Sequence, residues 1–241
     1  MASEYLKWKY RDVRPDAPRE LTAAEKRKNW WHYHKWHIIL GGVLLLALAD
    51  IGWHALGSGE VPPDYQIAYV GAAPLPSDTA KAVETAFAAF GEDANGDGQV
   101  AARLNQYPRS GGSADAASFA TAAEVRLIGD LEKCESFFFL LDDFETFQRS
   151  YDVLAKLDGT LPAPGDDTGI ALRWGGCPAL AGLDLGEYRE NVLGQAVSGS
   201  NQDVLGDLYL ARRGFWTERT VRNPAECEAL WSVLMEGGKS G

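Results

Sequence analysis

Histidine is absent from this chain beyond position 54; all four lie at positions 32, 34, 37 and 54. The long C-terminal part therefore holds no Ser-His-Asp or Cys-His catalytic set and none of the common His-containing zinc sites. Phosphate-cradling glycine loops are missing as well. There is no Gly-x-x-x-x-Gly-Lys, and no Gly-x-Gly-x-x-Gly after the first expected strand. Cysteine is scarce, with Cys134, Cys177 and Cys227 only. Three residues allow one disulfide in three pairings, of which Cys177–Cys227 would tie an irregular segment to the last helix; three reduced thiols are the alternative. Positive charge is short too, 23 Lys and Arg against 34 Asp and Glu, a net charge of −11. No carboxylate pair stands out as an acid–base couple, so the chain reads as non-catalytic.

What the chain does have is one long apolar run, from Trp36 to Leu56, with its core at His37–Ala49. Twenty helical residues at ~1.5 Å each cross the ~30 Å of a bilayer core. Leu21-Thr22-Ala23-Ala24-Glu25 reads as a capping box, with Thr22 as N-cap and Glu25 at the third helical position. One helix over 22–57, amphipathic at its start and transmembrane beyond, is expected. Trp30, Trp31, Tyr33 and Trp36 mark one interface and Trp53 the other. Asp50 lies about one turn before Trp53, within reach of water at the headgroups. Residues 1–37 carry nine Lys or Arg and five Asp or Glu, a balance of +4 that leaves −15 for the remainder. By the positive-inside rule the basic tail over 1–21 is cytoplasmic, and the rest lies outside a cell membrane crossed once. A cleaved signal peptide, cut after Ala49 in Ala47-Leu48-Ala49, is the rival reading; the basic region before it is longer than a signal normally carries. Nucleic acid is excluded as a partner of the acidic exterior, whereas the basic end suits anionic lipid.

A linker over 58–64 precedes a domain over 65–236, with a short tail over 237–241. Tyr65–Val70 alternates as a strand does, and Ser77 opens a helix as its N-cap, with Gly91 closing it. A second strand over Val100–Tyr107 leads to a helix over Asp115–Lys133, whose expected apolar face is Phe119, Ala122, Ala123, Leu127 and Leu131. Ser136–Leu141 reads as a strand covered on both faces. Asp142 or Asp143 caps a helix reaching Leu157. Residues 159–206, rich in Gly, Pro and Asp, hold a strand at Ile170–Trp174 and little else. Asp207–Ala211 is a further strand, and a last helix starts with Asn223 as N-cap and Pro224 at its first position, with Leu230, Trp231 and Leu234 inward. This alternation predicts the α/β class: a transmembrane helix, then one domain around a mostly parallel sheet.

Two places could hold a ligand. Asp93-Ala94-Asn95-Gly96-Asp97-Gly98-Gln99-Val100 matches the first half of a calcium loop, with Asp93, Asn95, Asp97 and Gln99 as candidate ligands. Leu104 stands where a bidentate carboxylate belongs, so a polar turn competes with a weak Ca²⁺ site, the one cofactor suggested. In open α/β sheets ligands gather beyond the carboxyl ends of the strands. Tyr107, Arg109, Asp142, Asp143, Trp174 and Arg212 are the candidate solute-binding residues there.

The element order resembles a pared-down bacterial extracellular solute-binding protein. The resemblance rests on Tyr-Gln-Ile-Ala-Tyr-Val-Gly, the Asp-Ala-Asn-Gly-Asp-Gly-Gln-Val loop and Asp-Leu-Tyr-Leu-Ala-Arg-Arg-Gly-Phe. The whole chain also resembles uncharacterised membrane-anchored proteins of gut Firmicutes, and the Asp-rich loop resembles half a dockerin repeat. The first likeness implies an extracytoplasmic binding domain for a small solute or cation. An envelope protein-interaction module without a small ligand is the alternative.

Overall fold

A computed structural model describes residues 20, 22–55, 62–109, 114–192, 195–215 and 218–237. The basic tail over 1–19, most of the expected linker, the last four residues and the side chain of Trp53 lie outside the described residues. Two compact units emerge, Met1–Val61 and Pro62–Gly241.

The described residues of the first unit form one helix, α1 (Ala23–Ala55). Its start is the expected capping box. The Thr22 N–H donates to Glu25 Oε2 at 2.9 Å, and the Glu25 N–H donates to Thr22 Oγ1 at 3.4 Å. Thirty-three residues at ~1.5 Å each give ~50 Å, longer than a bilayer core is thick. Its apolar side chains are uncovered; Leu40, Leu45 and Leu46 are each at least 70% exposed. Among the described residues this is the one helix long and apolar enough to cross a membrane. His34 stacks on Trp30 with centroids 4.8 Å apart, its Nδ1 2.8 Å from the Trp30 carbonyl.

The second unit is built on β1 (Tyr65–Gly71), β2 (Ala102–Pro108), β3 (Phe138–Leu141), β4 (Leu154–Ala155), β5 (Ala171–Arg173) and β8 (Tyr209–Arg213). Their order is β2-β1-β3-β8-β4, with β5 also on β8. The crossovers through α2 (Ser77–Phe90) and α3 (Ala114–Lys133) leave β1 parallel to both β2 and β3. The sheet is nevertheless mixed, not mostly parallel as expected. β8 runs antiparallel to β3, β4 and β5. The cause lies in the connection before it. After β5 the chain turns through a 3-10 segment (Trp174–Gly176), a two-stranded hairpin of β6 (Glu187–Val192) and β7 (Gln195–Ser200), and α5 (Asn201–Gly206). It re-enters the sheet beside the end it left, where the Trp174 N–H donates to Leu208 O at 2.9 Å. A return from the same edge is antiparallel; a parallel return needs a crossover to the far edge.

Two cores sandwich the sheet. On one face Tyr65, Ile67, Phe138, Leu140 and Leu210 pack with Val83 and Phe87 of α2 and with Leu230, Trp231 and Leu234 of α6 (Pro224–Glu236). On the other, Ala68, Val70, Phe139, Leu141 and Ala211 pack with Leu127 of α3 and Phe147 of α4 (Phe144–Tyr151). Each large apolar side chain so buried contributes ~1.5–3 kcal/mol. β3 is covered on both faces, its four residues fully buried, which its unbroken apolar run requires. Gly91 closes α2 because a Cβ there would stand 2.4 Å from the Tyr65 ring.

Four local expectations are corrected. Residue Asp152 takes a left-handed conformation, φ 50°, and stops α4 well before Leu157; the freed chain forms β4. Phe119 and Ala122 of α3 face outward, and the inward contacts come from Ala123 and Leu127. The hairpin and α5 occupy a stretch read as irregular. Both hairpin strands are polar and largely exposed, so they lack the alternation that marks a half-buried strand. Neither Ser77 nor Asn223 caps its helix with its side chain; Asn223 Nδ2 donates to the Asp64 carbonyl instead, at 3.2 Å.

Candidate functional site

The parallel strands β2, β1 and β3 end side by side. Arg109, one residue past β2, donates its backbone N–H to Gly71 O at 2.8 Å, and the Asp142 N–H, past β3, donates to Val70 O at 3.3 Å. The Arg109 guanidinium pairs with Asp142 Oδ1, while Asp142 Oδ2 accepts the Ala72 N–H at 2.7 Å. One carboxylate thus holds three chain ends. Asp143 turns the other way and caps α4, accepting the Thr146 N–H at 3.0 Å. That bond holds its carboxyl below the ordinary carboxylate range, with Arg109 and Arg149 acting in the same direction.

Beside this clamp lies a cavity of about 540 Å³, lined by Tyr107, Pro108 and Arg109, by Ala117, Ala120, Thr121, Glu124 and Leu127 of α3, and by Tyr151 of α4. The volume is in the range of small-molecule sites. Tyr107 forms its floor. Its hydroxyl donates to Asp130 Oδ2 at 2.8 Å, and buried Asp130 also takes the Ser136 N–H at 2.9 Å and the Ser136 hydroxyl at 2.6 Å. Burial, reinforced by that carboxylate, pushes the Tyr107 phenol well above its ordinary value. Tyr151 is half-buried, and burial raises its phenol, Glu124 adding to the effect. Behind the clamp the Tyr69 hydroxyl donates to Ala73 O at 2.8 Å, and burial pushes that phenol up to about 12.

Four of the six residues expected at the strand ends meet here: Tyr107 and Arg109 in the cavity wall, Asp142 and Asp143 behind Arg109. The other two do not. Trp174 follows β5 but is fully buried in the core, its indole N–H donating to Gln202 Oε1 at 3.1 Å. Arg212 sits at the opposite edge, because β8 runs backward and sets Arg212 opposite Phe138 at the start of β3. Its guanidinium lies between the Phe137 and Trp231 rings, 5.2 and 5.7 Å from their centroids, and pairs with Glu228. That is a structural position. Glu124 and Tyr151 were not singled out from sequence. Each stands on a different helix, α3 or α4, and only the fold brings the two to one cavity wall.

The Asp-rich loop is closed by its own side chains. Asp93 accepts the N–H groups of Gly96 and Gly98, both at 2.7 Å. Asn95 Oδ1 accepts from Asp97 N at 2.9 Å, and Asp97 Oδ1 from Gln99 N at 2.8 Å. Gly96 and Gly98 take left-handed φ angles of 77° and 86°, which the turns need and glycine supplies without strain. Beneath the loop is Asp64, 3% exposed, assigned to the linker by composition. It accepts the N–H groups of Ala94 and Asn95 at 2.9 Å and of Ala101 at 2.7 Å. Among the described residues no group of three or more His, Cys, Asp or Glu side chains converges as a metal site. The three thiols are free, with Cys177 and Cys227 buried.

These features define a class: a mixed-sheet α/β domain with a strand-end cavity, in a chain whose N-terminal helix is long and apolar enough to cross a membrane. No protein-family model matches this chain, and no curated protein or solved structure matches it significantly.

Proposed function

We propose that this protein is a membrane-anchored, extracytoplasmic, non-catalytic binding module for a small solute, bound at the ends of the parallel strands. The observation that carries the reading is the 540 Å³ cavity beside the Arg109–Asp142 clamp. It combines aromatic and aliphatic walls with a few polar groups at the carboxyl edge of a sheet, where α/β folds gather ligands. The exposed apolar helix supports the anchor, and the basic balance of residues 1–37 supports a cytoplasmic N-terminus with the acidic domain outside. The resemblance to solute-binding proteins agrees with this assignment.

Thermal melting of the full chain in detergent, with pools of amino acids, peptides, sugars and amines, tests it. A ligand at a hundred times its dissociation constant adds ~2.7 kcal/mol of stability. EDTA and millimolar Ca²⁺ in the same series test the Asp93 loop as a cation site, with Asp93→Ala as control.

One observation favours the second reading, an envelope interaction module. Phe119, Ala122, Val125 and Ile128 recur every third residue along the outer ridge of α3, with Phe119 74% and Val125 65% exposed. Recovery of a partner by crosslinking at Phe119, together with a flat melting series, would move the assignment to that reading.

A further inference from the structure

Resting on the reading of the strand-end cavity as a solute site, the geometry points to a small organic cation, an ammonium group on an apolar body, as the ligand it takes. Among the described residues Arg109 is the one cation in the cavity wall, and it is already paired with Asp142. Its field also reaches Asp143, which Arg149 shares. The neighbouring carboxylates therefore offset much of the attraction the guanidinium would offer an anionic ligand. Glu124 differs: it makes no hydrogen bond or ion pair among the described residues, and it lies close enough to Tyr151 to raise that phenol. Arg109 also acts on that phenol, in the opposite sense, but it is held by Asp142, so a solute entering beside Glu124 meets a negative charge that is offset only in part.

The remaining walls suit the rest of such a ligand. Leu127, Ala117 and Ala120 give an apolar surface, and the Tyr107 and Tyr151 rings flank it. Tyr107 already carries the Arg126 guanidinium 6.0 Å from its ring centroid, so an incoming cation finds its aromatic partner in Tyr151, whose other contact is Phe147 at 5.0 Å. The Tyr151 hydroxyl makes no hydrogen bond among the described residues and is open to a polar group on the ligand. A carboxylate ligand would face Glu124 with only the Asp142-paired Arg109 to offset it among the described lining residues, and a neutral sugar would leave Glu124 unused.

Isothermal titration of the full chain in a neutral detergent tests this, with choline and phenethylamine as cations and acetate, phenylacetate and glucose as controls. Binding of a cation is expected. Glu124→Gln should weaken it about tenfold, through loss of a charge-assisted contact, and Tyr151→Leu should weaken it further. Ala120→Trp, which fills the cavity, should abolish it. Binding of phenylacetate or glucose that Ala120→Trp blocks, with no cation bound, would overturn the ligand class and leave the solute site standing. Cation binding equal in wild type and Glu124→Gln would also overturn it. No binding by any probe would overturn the ligand class, and a flat melting series across the broader pools would overturn the site itself.

Discussion

Arg109 and Asp142 join the ends of two strands that do not touch. β2 and β3 lie on opposite sides of β1, and the ion pair passes over the end of β1, where Asp142 also takes the Ala72 N–H. The two partners therefore differ in worth. The Arg109 and Asp142 side chains are 37% and 29% exposed, so solvent screens the pair to ~1 kcal/mol or less. Arg109→Ala should cost about that. Asp142→Ala also strips Ala72 of its acceptor and should cost ~2 kcal/mol. Urea unfolding of both variants and the double variant checks the order; equal costs would place the stabilisation in the pair alone.

Asp64 holds the Asp-rich loop against the sheet through three backbone N–H bonds. Asp64→Ala leaves three donors without their acceptor and should destabilise the domain by ~3 kcal/mol. The same substitution at exposed Asp97 should cost well under 1 kcal/mol by comparison. Urea midpoints for the two variants separate the roles.

Asp93 titrates below an ordinary carboxyl because the Gly98 and Gly96 N–H groups favour its charged form. A lowered folded value means the carboxylate stabilises the fold above the unfolded value of ~3.9 and loses that contribution as pH falls through the lower folded value. The Gly96 and Gly98 amide resonances should therefore hold steady to about pH 4 and move together only below it. Movement centred at an ordinary carboxyl value would show that the loop is open in solution.

Cys227 is buried, and burial pushes its thiol up to about 12; Cys177 is raised for the same reason and sits with its Sγ 3.2 Å from Leu234 O. Thiolate is the reactive form. At pH 8 a thiol reagent should label Cys134 in the folded protein and reach all three only in denaturant. A reductant should leave the melting temperature unchanged; a fall would reveal a Cys177–Cys227 bond.

The parallel half of the domain was legible in the sequence because it is written in hydrophobic period. Alternation in Tyr65–Val70, the helical recurrence through Phe87 and the unbroken Phe138–Leu141 run each admit one element. The direction of β8 was not legible. Asp-Leu-Tyr-Leu-Ala reads the same in either sense, and the edge from which the chain returns is decided by the hairpin and α5, whose polar surfaces carry no period. That reversal is what sends Arg212 to the far edge and out of the expected site. Asp64 escaped for a different reason: Pro-Pro-Asp has the composition of a linker, and only burial against Ala94, Asn95 and Ala101 gives the carboxylate its task. Arg109, Asp142 and Tyr107 stand together at the strand ends because the β2-β1-β3 order aligns the strands that carry them, whereas Glu124 and Tyr151 reach the same cavity from two separate helices.

If the strand-end cavity binds a small solute, filling it removes the binding. Thermal melts of the full chain and of Ala120→Trp, each run across the same pools of amines, amino acids, peptides and sugars, should differ in one way. One pool should raise the wild-type melting temperature by several degrees and leave Ala120→Trp unmoved. A shift of equal size in both proteins, or none in the wild type across every pool, would contradict it.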